Sequence, residues 1–218
     1  MTTVAIDGPA GAGKSSVARA VAAELGFRYI DTGAMYRAVA LAALERGVDP
    51  DDGTAVSGLL RAIKIQMGER SVHLDGREIT NRLRGKEVTA GAARVARHEV
   101  VRSSLVALQR ELASSCDVVM EGRDIGSAVI PEAEVKIFLT ASLDERARRR
   151  REQLGISEDS LAEIQRDIER RDRSDMDRPV SPLIQAADAE VIDTTGMSLD
   201  QVVAEIAELV RRKAGQRS

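Results

Sequence analysis

The stretch AIDGPAGAGKSS, Ala5 to Ser16, constrains the fold more than any other part of the chain. It reads Gly8-x-x-x-x-Gly13-Lys14-Ser15. It follows a strand-like run, Val4–Ile6, and opens a helical one in which Val17, Val21 and Leu25 recur four apart before Gly26. Glycines in such a loop let backbone N–H groups converge on phosphate oxygens, and the following helix turns its positive end to the same place. Lys14 then reaches the β- and γ-phosphates and the Ser15 hydroxyl ligates Mg²⁺. Gly8, Pro9, Ala10, Gly11, Ala12, Gly13, Lys14, Ser15 and Ser16 are therefore expected to hold a nucleoside triphosphate. Strands alternating with helices around such a loop imply an α/β architecture with a parallel sheet covered on both faces.

The rest of the chain alternates accordingly. Phe27–Ile30, Val118–Met120, Val135–Leu139 and Val191-Ile192 read as strands. Ala34–Arg46, closed by Gly47, reads as a helix, and Ser142-Leu-Asp-Glu145 and Ser198-Leu-Asp-Gln201 are capping patterns opening two more. Ile63–Ile79 breaks the alternation: it shows polar/apolar alternation with an Asp75-Gly76 turn, which predicts a small antiparallel element inserted into the parallel fold. With 218 residues, 43% of them hydrophobic, there is room for one compact domain carrying such an insertion. The N-terminus runs straight into a strand, no run is long and apolar enough to span a membrane, and Cys116 has no partner for an internal disulfide. A cytoplasmic location is the expectation.

Several function classes fall away. His73 and His98 lie far apart with no ligand cluster nearby, so no resident metal site is expected beyond Ser15. Asp193-Thr-Thr-Gly196 matches a short GTPase pattern but follows the last strand, and reads as a turn. Net charge is −3, and Tyr and Phe number two each with no Trp, so the run RARRRR from Arg146 to Arg151 is a poor case for nucleic acid.

Arginine, however, outnumbers lysine 27 to 5, and its planar fork suits phosphates and carboxylates. Three motifs use it. Asp31-Thr-Gly-Ala-Met-Tyr-Arg37 follows the second strand, and Glu121-Gly-Arg-Asp-Ile-Gly126 follows the third. Both open at the carboxyl ends of strands, where α/β sheets bind ligands. In RRDRSDMDRP, Arg171, Asp175 and Arg178 would share one face of a helix running up to Pro179. Three such motifs beside one phosphate loop predict a second, anionic substrate.

Taken together, the phosphate loop, DTGAMYR, EGRDIG, VKIFLTAS, RRDRSDMDR and VSPL resemble the bacterial cytidylate kinases, from about Val4 to Val210. The inserted element around residues 63 to 90 strengthens the match. The resemblance implies a P-loop kinase-type parallel sheet flanked by helices, with a small inserted antiparallel β element and a helical lid. It divides the chain into a core (1–31, 100–150 and 176–218), a monophosphate-binding region (32–99) and a lid (151–175). It implies transfer of the γ-phosphate of ATP, carried with Mg²⁺, to CMP or dCMP by a monomer. A broader UMP/CMP or other nucleoside monophosphate kinase, and a non-kinase phosphate-loop binding module, are the alternatives.

By the same resemblance Thr32, Arg102, Asp124 and Arg178 match cytosine-site positions. Arg37 and Arg123 match positions near the CMP phosphate, and Arg171 and Asp175 positions near the ribose. Ala93 stands where the family often has a serine. Lys14, Arg37, Arg123 and Arg171 are the expected catalytic residues. Arg146 and Arg150 are expected to reach ATP from a segment in which EQLGISED, Glu152 to Asp159, reads as the lid.

Overall fold

The computed structural model describes residues 1–69, 71–155, 161–178 and 180–215. The chain forms two compact units, one made of Met1–Tyr29 and the stretch from Ala113 onward, the other of Ile30–Leu112.

In the first unit, β1 (Thr3–Asp7), β6 (Val118–Glu121), β7 (Val135–Thr140) and β8 (Glu190–Asp193) pair in parallel. The sheet order is β2-β6-β1-β7-β8, with β2 (Arg28–Asp31) at the edge from which the chain passes into the second unit. Every residue of β1 and β6 is buried, as expected of parallel strands covered on both faces. Helix α1 (Lys14–Leu25) buries Val17, Ala18, Val21 and Ala22, and packs against α8 (Leu199–Gly215), whose Val202, Ile206, Leu209 and Val210 complete the core. The predicted boundary signals hold. Gly26 ends α1 at φ 70°, the Ser142 hydroxyl caps α6 (Leu143–Leu154), and Ser198 and Gln201 cap α8 reciprocally.

One expectation fails here. Helix α7 (Leu161–Met176) stops at Met176, so Arg178 does not share a helical face with Arg171 and Asp175. A residue preceding proline is driven out of the helical region. Arg178 instead turns back, its Nε donating to the Asp175 carbonyl at 3.3 Å. Of the predicted lid loop, residues 156–159 lie outside the described residues; Glu152–Leu154 are the end of α6, closed by Gly155 in the left-handed conformation.

The second unit holds α2 (Thr32–Glu45), α3 (Gly53–Ala62), α4 (Lys86–Val95), α5 (Glu99–Ala113) and the inserted sheet, of order β3 (Ile65–Met67), β4 (Val72–Leu74), β5 (Arg77–Glu78). The sheet is antiparallel, and Asp75 and Gly76 both adopt positive φ (51° and 79°), as the predicted two-residue hairpin turn requires. Helix α2 is buried from Ala38 to Ala43, and Gly91 lets α4 approach until a Cβ there would lie 3.1 Å from that of Ala40. Helices α3 to α5 lie outside the elements expected from the sequence, although each buries one face, Val56 and Leu59 on α3 and Val88 and Val95 on α4. Ala93 is exposed on α4.

Candidate active site

The phosphate loop leaves β1 at its carboxyl end, between the neighbouring strands β6 and β7. Gly8 stands at φ 146°, and a Cβ there would overlap the Leu139 carbonyl oxygen on β7. Gly13, at φ 89°, turns the chain into α1. Lys14 is buried, and its Nζ donates to the Pro9 carbonyl at 2.7 Å. Burial pushes its pKa down to about 7. The cations Arg123 and Arg171 add to the shift, against Glu121 and Asp7. Ser15 and Ser16 are exposed on the first turn of α1.

Two buried carboxylates that sequence reasoning passed over shape the loops here. Asp7, the last residue of β1, accepts the Ile125 and Gly126 N–H groups, each at 2.8 Å, and so fixes the π-helical turn Ile125–Val129 after Asp124. Burial raises its pKa to about 6 despite those two N–H groups, and Asp124 adds to the rise. Asp172 on α7 accepts the Ala10 N–H at 2.8 Å. It also pairs with Arg146 on α6, whose Nη1 donates to the Ala10 carbonyl at 2.9 Å. A third carboxylate, Glu121 at the end of β6, is buried and accepts the Tyr29 hydroxyl at 2.9 Å.

Around Lys14 the first unit gathers most of the predicted residues. Arg123 pairs with Asp175 at 2.8 Å. Burial pushes the Asp175 pKa up, but Arg123, Arg178 and Arg171 hold it below the usual carboxylate range. Asp124 is buried, and Arg171 is exposed on α7. Of the arginine run, Arg148 is exposed and paired with Glu145 and Glu152, whereas Arg149 donates to the Thr194 hydroxyl and carbonyl at 2.9 and 2.7 Å. Arg150 bonds Gln153 at 2.8 Å. Only part of this run is the solvated face that its charge suggested.

The second unit carries the remaining three. Asp31 caps α2, its Oδ1 accepting the Ala34 N–H at 2.8 Å, while its Oδ2 accepts from Arg37 Nη2 at 2.8 Å. The Arg37 Nε is buried without a hydrogen-bond partner among the described residues. Thr32 is buried. So is Arg102, whose guanidinium lies 5.7 Å from the centre of the Tyr36 ring.

A five-stranded, largely parallel sheet with a glycine-rich phosphate loop beyond its central strand, a buried lysine and surrounding arginines defines a phosphate-loop kinase fold. The gluconokinase of Sinorhizobium meliloti 1021 shares it, at 16% identity and TM-score 0.52 over 99% of this chain and 94% of that one. So does TT1252 of Thermus thermophilus, at 21% and 0.52 over 96% and 97%. Within that class the chain belongs to the cytidylate kinase family, whose model matches residues 4–212. It is 49% identical to the cytidylate kinase of Shouchella clausii (strain KSM-K16), over 98% of this chain and 97% of that protein. It is 51% identical to the cytidylate kinase of Exiguobacterium sibiricum (strain DSM 17290 / CCUG 55495 / CIP 109462 / JCM 13490 / 255-15), over 94% and 95%.

Proposed function

We propose that this chain transfers the γ-phosphate of ATP to CMP or dCMP, producing ADP and CDP or dCDP. The observation that carries the reading is the family match over residues 4–212, with phosphate loop and arginine motifs inside it. A CMP phosphate oxygen attacks the γ-phosphorus, and the bond from that phosphorus to the bridging oxygen breaks toward ADP. The second pKa of a phosphomonoester is about 6, so the nucleophile is already anionic near neutrality and needs no general base. The work left to the protein is positioning and charge neutralisation.

Lys14 answers the charge of the ATP phosphates. By the resemblance Arg123 and Arg37 are assigned to the CMP phosphate, and Arg171 to the transferring group. Asp124 and Arg178, with Thr32 and Arg102, select the base; Arg171 and Asp175 hold the ribose. Arg150 meets ATP from the α6 side. The exposed Ser15 hydroxyl is a hard oxygen donor suited to Mg²⁺. Among the described residues no group of three or more His, Cys, Asp or Glu side chains could hold a metal ion. Held at Ser15 with the nucleotide, Mg²⁺ would supply positive charge against the phosphates. No helix among the described residues is long and apolar enough to cross a membrane. On this reading the enzyme is a cytoplasmic monomer whose partners are nucleotides.

The test is a coupled ADP-release assay with ATP against CMP, dCMP, UMP, AMP and GMP. Release driven by CMP and dCMP well above the rest is expected. A UMP rate equal to that with CMP would favour the broader kinase. Release no faster with any monophosphate than with none would defeat the kinase reading.

A further inference from the structure

One buried ion pair stands against the phosphate loop, and one of its members, Arg146, is a residue that the resemblance assigns to ATP. Asp172 and Arg146, on α7 and α6, have side chains only 9% and 11% exposed. Both hold the same loop residue: Asp172 takes the Ala10 N–H at 2.8 Å, and Arg146 donates to the Ala10 carbonyl at 2.9 Å. The Arg146 Nε further donates to the Ala141 carbonyl at 3.1 Å. This guanidinium is thus engaged by one carboxylate and two carbonyls. Turning it toward a phosphate would strand Asp172 as a buried charge without its counter-ion.

We infer that the Asp172–Arg146 pair is a positioning device for the phosphate loop, gripping Ala10 by both backbone groups, and that Arg146 is not itself a γ-phosphate ligand. Its place between Arg171 and Asp175 gives Asp172 a further consequence: the turn of α7 that carries two residues assigned to the acceptor is tied to the loop assigned to the donor. A cradle held in shape in this way serves the β-phosphate as much as the γ-phosphate. Loosening it weakens ADP and ATP alike, whereas removing a γ-phosphate ligand weakens ATP alone.

The inference rests on the ATP reading above, so binding of Mg·ATP and Mg·ADP to the parent protein is measured first, by calorimetry without CMP. A parent that binds neither overturns that reading and this inference together. Asp172→Asn and Arg146→Lys are then compared with it, alongside their thermal midpoints. Both dissociation constants should rise by a common factor of about tenfold to a hundredfold, leaving their ratio within about twofold of the parent's. Loss of ATP affinity with ADP affinity intact would make Arg146 a γ-phosphate ligand and overturn the inference. So would unchanged affinities with a lowered midpoint, which would reduce the pair to a stability element. Should a single exchange not fold, the double exchange Arg146→Gln with Asp172→Asn leaves no lone buried charge and is read the same way.

Discussion

Lys14 should take up a proton when ATP binds, and the uptake should be measurable at pH 8. In the nucleotide-free protein, burial and the neighbouring Arg123 and Arg171 hold its pKa at about 7. One pH unit above that, about nine-tenths of the molecules carry a neutral lysine. A triphosphate beside the amine reverses the balance of charge and returns the pKa toward or above its usual value near 10.4. Binding therefore draws in about 0.9 proton at pH 8 and only about 0.1 at pH 6. The nucleotide phosphates are fully ionised at pH 8, and Asp7, with a pKa of about 6, is ionised as well, so neither adds to the signal.

Linkage turns the same shift into affinity and stability. Above pH 7 ATP binding should weaken with pH, by about fiftyfold between pH 7 and 9. For the unliganded fold the sign is opposite: between the folded pKa and the unfolded one, the unfolded chain holds more protons, so the contribution of Lys14 to stability rises with pH. The assay is titration calorimetry of Mg·ATP at pH 8 in two buffers of different ionisation enthalpy, whose slope counts protons. Lys14→Ala removes the uptake, and should also cost roughly 2.7–4 kcal/mol of transition-state stabilisation. A slope near zero in the parent, or the same slope in the variant, would refute the reasoning.

Gly8→Ala should lower the thermal midpoint by roughly 6–12 °C, since a residue with a Cβ is strained at φ 146° and meets the Leu139 carbonyl oxygen; an unchanged midpoint would show that the loop can move aside. Arg37→Ala and Arg123→Ala should raise the KM for CMP more than that for ATP in separate titrations, and equal losses would contradict their assignment to the acceptor. Asp124→Asn should lower the CMP/UMP ratio of kcat/KM at least about tenfold, because an amide can donate to the uracil carbonyl where a carboxylate only accepts from the cytosine amino group. An unchanged ratio with both rates reduced would make Asp124 structural.

Features written in local periodicity were legible in the sequence. The loop from Gly8 to Ser15, the buried strands, the Ser142 and Ser198 caps and the Asp75-Gly76 hairpin each depend on residues a few positions apart. Asp7 and Asp172 were not legible, because their hydrogen bonds join residues 118 and 162 positions away. Nothing near either aspartate in the chain announces its partner. The arginine run misled for a related reason. A helix with mean hydropathy as low as that of α6 looks solvated all round, yet Arg146 and Arg149 are drawn inward by carbonyls of Ala10 and Thr194. The early end of α7 was foreshadowed by Pro179, but the spacing of Arg171, Asp175 and Arg178 was the louder pattern.

The shared carboxylate of Asp31 bears on how the enzyme lets go of its nucleotide. Arg37 gives only Nη2 to that carboxylate and keeps Nε without a partner among the described residues, so on the proposed reading an arriving phosphate meets a guanidinium already held in place. On that reading the same carboxylate keeps Arg37 in place when the diphosphate departs. The cap on α2 uses the other oxygen of Asp31, so the start of the helix does not depend on that contact.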